Sequence, residues 1–358
     1  MSIDAMRTAD VFRLTSCDGS VVVETYCPDD SIRGSGPVPN PRLPRATSTM
    51  SVHDENVLHR HTLLRSIAAG QVPLKFAYVG SAAYTHDRYA RTDDYAGMMA
   101  SAERESDAFL RSRCCDPTVA DLAEIGPGNG EHSAALLAAL RAKGLPIRRY
   151  LGVDFSSTLL DISRRTLDDR FEGDLAIDTA QWDAESSPAP VIEQWRPAAG
   201  PVLVCLVGGT LGNFENPLHG LRNIARMLHP GDLLLTSAFL RPNSGAINSS
   251  MSAYRTDEFR RAALEPMLAV GMNASDLDLS IAYQDGIFVG EVTLRKDAHL
   301  GFLRLPRGYS FRCFVSRRFD PGEFVGLLEK AGWSIYKTDV EPDSDHITVV
   351  ASRDEEPL

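Results

Sequence analysis

The chain has 358 residues, 43% of them hydrophobic, with 27 glycines and 21 prolines, enough for a full core and a smaller second layer and too ordinary for a repeat or collagen-like protein. Its 37 Lys and Arg stand against 48 Asp and Glu, a formal charge of -11, which disfavours a surface that tracks nucleic-acid phosphates. The cysteines at 17, 27, 114, 115, 205 and 313 follow no C-x-x-C or Cys/His spacing, so neither a metal site nor a disulfide framework is expected.

The N-terminal MSIDAMRTADVFRL lacks the apolar stretch of a signal peptide, and no apolar run reaches membrane-spanning length. The expectation is a cytoplasmic protein with no membrane or nucleic-acid partner, monomeric or homodimeric, acting on a small molecule. Residues 9–26 read as one or two short strands, and the Pro-, Gly- and Ser-rich residues 27–50 as a loop or linker. Apolar residues at Val57, Leu64, Ile67 and Ala68 predict an amphipathic helix from Asp54 to Ala69, stopped by Gly70. A polar and aromatic segment, residues 75–97, then leads to a second helix over roughly 98–112.

From Val119 the pattern changes to short apolar runs alternating with helices. VADLAEIG, RRYLGVDF, PVLVCLVGG and DLLLTSAFL read as strands, with helices between them and a short strand running into GDL near Asp174. Such runs separated by helices predict βαβ crossovers and a mostly parallel sheet. After Leu240 the rhythm breaks: residues 241–271 read as a loop plus a helix, followed by strands around IFVGEVTLRK and GYSFRCFVS. A final helix begins near Pro321, and SIYKTDV with HITVVAS predicts an antiparallel hairpin.

The chemistry collects where the first strands end. EIGPGNGEHS puts Gly126, Gly128 and Gly130 in a tight turn before a helix, where a ligand can approach the backbone closely. The spacing is not the G-x-G-x-x-G of a dinucleotide turn, and Glu131 in the first helical turn is unfavourable to a pyrophosphate. Asp154 closes the second strand, 28 residues after Gly126, where a carboxylate accepts both hydroxyls of a ribose. Asp174 either accepts an adenine amine, with Leu175 against the ring, or caps a local turn. In GGTLGNF, residues 208–214, Thr210 and Asn213 bear hydrogen-bonding groups in a glycine-rich turn, and Asn213 either orients an amino-acid group or stabilises its own turn.

Several ordered blocks over about residues 51–355 resemble the histidine-specific methyltransferase family, which trimethylates the α-amino group of histidine in ergothioneine biosynthesis and is shared with fungal prenyl-tryptophan N-methyltransferases. The blocks are KFAYVGSAAY, DDY, EIGPGNGEHS, GVDFS, GGTLGNF and GYSFRCFVSRRF followed by F-x-x-L-L-x-x-A-G-W. The resemblance implies an α/β, Rossmann-like class I fold with a smaller α+β substrate-binding domain, and S-adenosylmethionine as cofactor. It divides the chain into N-terminal strands and loop (1–50), a helical part of the substrate domain (51–115), a methyltransferase core (116–240), a substrate-domain insertion (241–318) and the end of the core (319–358).

Under this resemblance Glu124, Gly126, Gly128, Asp154, Phe155, Ser156, Asp174, Leu175 and Gly208 are the expected cofactor contacts. Tyr78, Tyr95, Thr210, Asn213, Phe314 and Ser316 are expected to bind substrate, with Asn213, Tyr95 and Tyr84 near the reacting atoms. Where the family's histidine enzymes carry Thr-Glu-x-Ser-x-Lys, this chain has Cys313, Phe314, Val315, Ser316, Arg317 and Arg318. Phe314 in place of the glutamate removes the acceptor for an imidazole and offers a surface to an apolar or aromatic group. The expected reaction is N-methylation of another amino acid or a small amine-bearing natural-product intermediate, not of histidine. C-methylation of a small aromatic molecule and noncatalytic nucleoside binding are the alternatives.

Overall fold

The computed structural model describes residues 13–17, 20–24, 52–92, 101–112, 119–196, 200–243, 247–340 and 345–353. The chain divides into two units, Met1–Thr49 and Met50–Leu358. In the first, β1 (Arg13–Cys17) and β2 (Ser20–Glu24) form an antiparallel hairpin, with Arg13 opposite Glu24 and Cys17 opposite Ser20.

Among the described residues the second unit begins with the helices α1 (Val52–Ala68), α2 (Ser81–Ala90) and α3 (Ala102–Leu110). An alternating series follows: β3 (Asp121–Ile125), α4 (Glu131–Ala142), β4 (Arg149–Asp154), α5 (Ser157–Phe171), β5 (Ala176–Gln181), α6 (Val191–Trp195), β6 (Val202–Leu206), α7 (Pro217–Ala225) and β7 (Leu233–Phe239). β3 and β6 are buried along their whole length, as strands covered by helices on both faces must be.

Two helices, α8 (Ile247–Ala253) and α9 (Asp257–Ala269), lead into β8 (Leu277–Gln284), β9 (Ile287–Leu294), the short β10 (Ala298–Leu300) and β11 (Leu303–Leu305), and β12 (Ser310–Arg317). The chain then returns through α10 (Pro321–Lys330), β13 (Trp333–Val340) and β14 (His346–Arg353).

β13 and β14 join the first series in a seven-stranded sheet of order β13-β14-β7-β6-β3-β4-β5. β3 to β7 run parallel, and β14 enters antiparallel between β7 and β13. This is the Rossmann-like class I methyltransferase topology with its closing antiparallel hairpin. From β3 the chain winds outward to β4 and β5, then restarts at β6 on the other side of β3. The loops leaving β3 and β6 therefore diverge, and a crevice opens where the strand order reverses.

The third strand begins later than the sequence suggested. GDL is the turn entering β5, not its end, with Gly173 at φ +90° and Asp174 exposed. β5 lies at the sheet edge and reads AIDTAQ, half polar, so it lacks the apolar run that marks its neighbours.

A second, smaller sheet, β12-β9-β8, is fully antiparallel. Its apolar face packs with α1 and α9 around Ile67, Met267, Phe288, Val292 and Phe311. β8 did not stand out in the sequence because its LDLSIAYQ alternates buried and exposed positions at one face of an edge strand. The β12–β9 register shifts between Arg312 and Phe314, leaving Cys313 as the extra residue of a bulge. The bulge changes which side chains face the core. Phe311 pairs with Val292, Phe314 with Gly290 and Ser316 with Phe288, so simple alternation from Phe311 would have chosen Cys313 and Val315 instead.

Candidate active site

Two adjoining cavities open at the C-terminal end of the parallel strands. The larger, about 540 Å³, is bounded by the loops after β3, β4, β5 and β6. The smaller, about 90 Å³, lies between the β6 loop, α2, α9 and β12. Tyr78, His86, Gly208 and Asn213 line both and form the junction.

The glycine turn divides its work among three residues. Gly126, at φ +73°, lies so close to the second loop that a Cβ would stand 2.7 Å from the Thr210 methyl. Gly130, at φ +84°, would bring a Cβ within 2.9 Å of the Ser163 carbonyl on α5. Gly128 lines the larger cavity and has nothing within 4 Å in the direction a Cβ would take, which leaves backbone open to a ligand. α2 is tied to this turn: Asn129 donates to Asp87 at 3.1 Å, and Arg91 pairs with Glu131 at 2.6 Å. Asp87 therefore turns to the glycine loop and to Arg91.

Asp154 ends β4 and lines the larger cavity. Its Oδ1 accepts the Ser156 N–H at 2.8 Å. Burial pushes its pKa up to about 7, against the pull of the Ser156 and Phe155 amides. A carboxylate so placed can accept the two hydroxyls of a ribose, whose donors replace the water it has lost. Phe155 beside it packs edge-on to Phe76, with Lys75 Nζ 5.1 Å from its ring centre.

Beyond β5, Trp182 and Asp183 complete the wall. Asp183 Oδ2 accepts Lys75 at 2.6 Å and Oδ1 accepts the Glu185 N–H at 3.1 Å. Asp174 and Leu175 stand at the other end of the same strand, Asp174 exposed and Leu175 in the core among Leu136, Leu140 and Ile177. They do not reach the cavity, so the acidic residue at the end of the third strand is Asp183. Its signal was present in QWDAES, but the strand preceding it was not apolar enough to be recognised. Ser156 also lies outside the wall. It is the N-cap of α5, accepting the Leu159 N–H at 3.2 Å, a structural role typically worth about 1 kcal/mol.

Behind the glycine turn lies a buried polar cluster. His132 Nε2 is 3.0 Å from Glu105 Oε2. Glu105 Oε1 accepts Ser101 at 2.9 Å and Ser237 at 2.6 Å, and Ser237 Oγ in turn accepts the Gly208 N–H at 3.1 Å. Burial alone would raise Glu105, but His132 and the two serines outweigh it and hold its pKa at about 2. Burial likewise opposes the charge on His132, which Glu105 overcomes, raising its pKa. Glu124, next to the turn, accepts Tyr150 Oη at 2.9 Å; burial raises its pKa despite nearby His132. The network couples α3 to the loops on both sides of the crevice.

The second loop carries Thr210 and Asn213 on a 3-10 turn. Thr210 Oγ1 donates to the Val207 carbonyl at 3.0 Å and its methyl faces Gly126. It lines only the larger cavity, so its hydroxyl braces the turn rather than reaching the smaller one. Asn213 stands at the junction, with no hydrogen bond to its side-chain amide from the described residues.

The smaller cavity is mostly aromatic. Phe314, 1% exposed, lies 5.2 Å edge-on to Phe259 and parallel to Tyr254 at 6.0 Å. Gly290 opposite leaves room for its ring, since a Cβ there would sit 2.1 Å from Phe314 Cε1. Ser316 and Arg318 follow on the same wall. Tyr78 and His86 contact edge-to-face at 4.6 Å. Burial lowers the His86 pKa to about 4, although Asp87 works to raise it, so its imidazole is neutral at physiological pH.

Tyr84 reaches neither cavity and is half exposed. Two residues rotate a helix by about 200°, so with His86 turned inward Tyr84 points outward. Tyr95 lies outside the described residues. Sequence reasoning missed Tyr254, Phe259 and Phe239 of the smaller cavity; the turn before α9, α9 itself and the end of β7 bring them in from distant parts of the chain.

A switch-point cavity with a glycine turn, an acidic residue closing the second strand and another beyond the third, on this strand order, defines an S-adenosylmethionine-dependent methyltransferase. The chain belongs to the family described as histidine-specific methyltransferase, SAM-dependent, whose model matches residues 89–353. No curated protein matches it. Among solved structures it is similar to an S-adenosylmethionine-dependent methyltransferase from Clostridium acetobutylicum, at 10% identity over 70% of this chain and 92% of that one, with a TM-score of 0.40. It is also similar to the sugar N-methyltransferase KedS8 from Streptoalloteichus, at 17% identity over 76% and 93% with a TM-score of 0.39. The trans-methyltransferase CalH in complex with SAH gives 15% identity over 84% and 68%, with a TM-score of 0.42. These likenesses are too remote to carry substrate information.

The enzyme uses S-adenosylmethionine to methylate a small molecule. Among the described residues no helix is long and apolar enough to cross a membrane.

Proposed function

We propose that the chain is an N-methyltransferase acting on the amino group of an aromatic or otherwise apolar amino acid, or of a related natural-product intermediate, and that histidine is not its substrate. The observation carrying this reading is Phe314, set among Tyr254 and Phe259 in a cavity that adjoins the larger one. A ring placed there meets aromatic faces and edges rather than a carboxylate. In this reading residues 51–115 and 241–318 hold the acceptor, while 116–240 and 319–358 form the core.

The larger cavity takes the cofactor. Asp154 accepts the ribose hydroxyls, Asp183 faces the adenine amine, and the backbone about Gly126 and Gly128, with Glu124 and Gly208, lies along the amino-acid end. Bound S-adenosylmethionine supplies an electrophilic methyl on its sulfonium. Asn213 and Tyr78, at the junction, orient the acceptor nitrogen, and alignment supplies much of the rate. The smaller cavity has no carboxylate among its described lining residues, and His86 there is neutral. An ammonium reaching the junction gives its proton to solvent before the neutral amine attacks, and the smaller cavity offers the charged form no carboxylate to hold it. That same lack leaves an aromatic C–H or phenol without an anionic base, and so favours N- over C-methylation.

The test is incubation with methyl-deuterated S-adenosylmethionine and a panel of proteinogenic and prenylated amino acids, read by mass spectrometry. Labelled N-methyl product from an aromatic amino acid, with none from histidine, is expected; preference for histidine contradicts the reading.

A further inference from the structure

Arg318 is a buried cation that no carboxylate among the described residues pairs with. Its residue is 9% exposed and lines the smaller cavity. The guanidinium has five N–H donors, and its hydrogen bonds are three: Nη1 to Ser316 Oγ at 2.9 Å and to the Arg317 carbonyl at 3.2 Å, and Nη2 to Tyr254 Oη at 2.8 Å. No carboxylate among the described residues pairs with it. Its central carbon lies 4.5 Å from the Phe239 ring centre and 5.1 Å from that of Phe288. These faces offset part of the cost of burying the charge, and two donors remain without an acceptor among the described residues at a guanidinium that lines the cavity, where a ligand acid can complete them.

The surroundings give that ligand a sign and an orientation. Glu124, Glu131, Asp154, Asp183 and Glu185 all line the larger cavity and none lines the smaller. Arg318, Ser316 and Phe314 line only the smaller one, whereas Asn213 and His86 stand at the junction. The bulge at Cys313 puts Phe314 and Ser316 on one face of β12, with Arg318 next along the same wall.

We infer that Arg318 is a specificity-determining residue that receives a carboxylate of the methyl acceptor, at the end of the acceptor remote from the methylated nitrogen. This rests on the reading that the acceptor occupies the smaller cavity. Among the acceptors of that reading the preferred class is then the natural-product intermediate that is an aromatic or apolar amine bearing a distal acid, its ring over Phe314 and its carboxylate paired with Arg318. A plain aromatic amino acid is the weaker acceptor because it leaves Arg318 unpaired.

The test is calorimetric and thermal-shift binding to the full chain saturated with S-adenosylhomocysteine. The probes are 3-phenylpropanoate, its amide 3-phenylpropanamide, and benzylphosphonate. The carboxylate is expected to bind roughly tenfold to a hundredfold tighter than the amide. Arg318→Lys should keep part of that preference and Arg318→Met should erase it. Equal affinity for the matched pair, including no binding of either, overturns the proposal, as does a preference that survives in a folded Arg318→Met. Tighter binding of the phosphonate than of the carboxylate overturns the assignment to a carboxylate. If Arg318→Met fails to fold, the matched pair on the unmodified protein still decides. The probes bear no amine to methylate, so a carboxylate preference without product from any amine would overturn the N-methylation reading and leave this one standing.

Discussion

Asp154→Asn should stabilise the cofactor-free protein while weakening its hold on the cofactor. The carboxyl pKa rises from 3.8 to about 7 on folding because the group is buried. A folded pKa above the unfolded one means that ionisation works against folding. The cost is absent below pH 3.8, grows between 3.8 and 7, and is complete above 7. At about 1.36 kcal/mol per pH unit, a rise from 3.8 to about 7 corresponds to a cost of about 4 kcal/mol at pH 8, an upper bound because Asp154 is only partly buried and water reaches the cavity wall. The asparagine oxygen still accepts the Ser156 N–H but carries no charge, so most of that cost disappears. Conversely, two ribose hydroxyls lose a charged acceptor, which lowers affinity by roughly tenfold to a hundredfold. Differential scanning calorimetry from pH 4 to 8, with and without S-adenosylhomocysteine, reads both effects. The expected result is a higher Tm for the variant at pH 8, converging with the parent toward pH 4, and a smaller shift on adding ligand. A variant less stable than the parent at pH 8, or one with undiminished affinity, would refute the reasoning.

The second and third glycines of the turn, Gly128 and Gly130, should respond differently to alanine. Gly130→Ala combines a left-handed φ with overlap on the α5 backbone and should cost about 2 kcal/mol or more in denaturant unfolding, whereas Gly128→Ala should cost about 1 kcal/mol and act mainly by lowering S-adenosylhomocysteine affinity. Glu105→Gln should destabilise by about 3 kcal/mol. Glu105 stabilises above pH 4.5 and loses that effect as pH falls toward 2, while His132 stabilises below 6.5 and loses it as pH rises through its raised folded pKa. The difference between variant and parent in urea melts should therefore be largest between about pH 4.5 and 6.5. Gly290→Ala should drive the Phe314 ring from its seat at a cost of about 1–3 kcal/mol. It should alter which acceptors are methylated in a competition assay and leave S-adenosylhomocysteine affinity unchanged.

The glycine turn, Asp154 and the GGTLGN loop were legible because each follows a short, mainly apolar strand, uninterrupted in β6, of the kind that occupies a doubly covered sheet position. That β3, β4, β6 and β7 are strands of a mostly parallel sheet followed from the same signal, whereas their order in the sheet did not. The signal failed at β5, where an edge position admits Asp178 and Gln181 and dissolves the apolar run. An acid at the end of the third strand was consequently sought at Asp174, one strand length before Asp183, which lines the cavity. Tyr84 failed for a geometric reason: a tyrosine in an aromatic-rich segment was visible, but the face it occupies depends on where α2 begins. The smaller cavity was least legible, since Phe239, Tyr254 and Phe259 carry no motif and meet only through packing. The bulge that selects Phe314, Ser316 and Arg318 breaks the alternation by which a strand face is read.

A crystal structure of the chain with S-adenosylhomocysteine tests the central claim most directly. The ribose hydroxyls should lie within hydrogen-bond distance of Asp154, with adenine beside Trp182 and Asp183 and the amino-acid end along the turn at Gly126–Gly128. A folded protein that binds no S-adenosylhomocysteine, or binds it with the ribose away from Asp154, would contradict it.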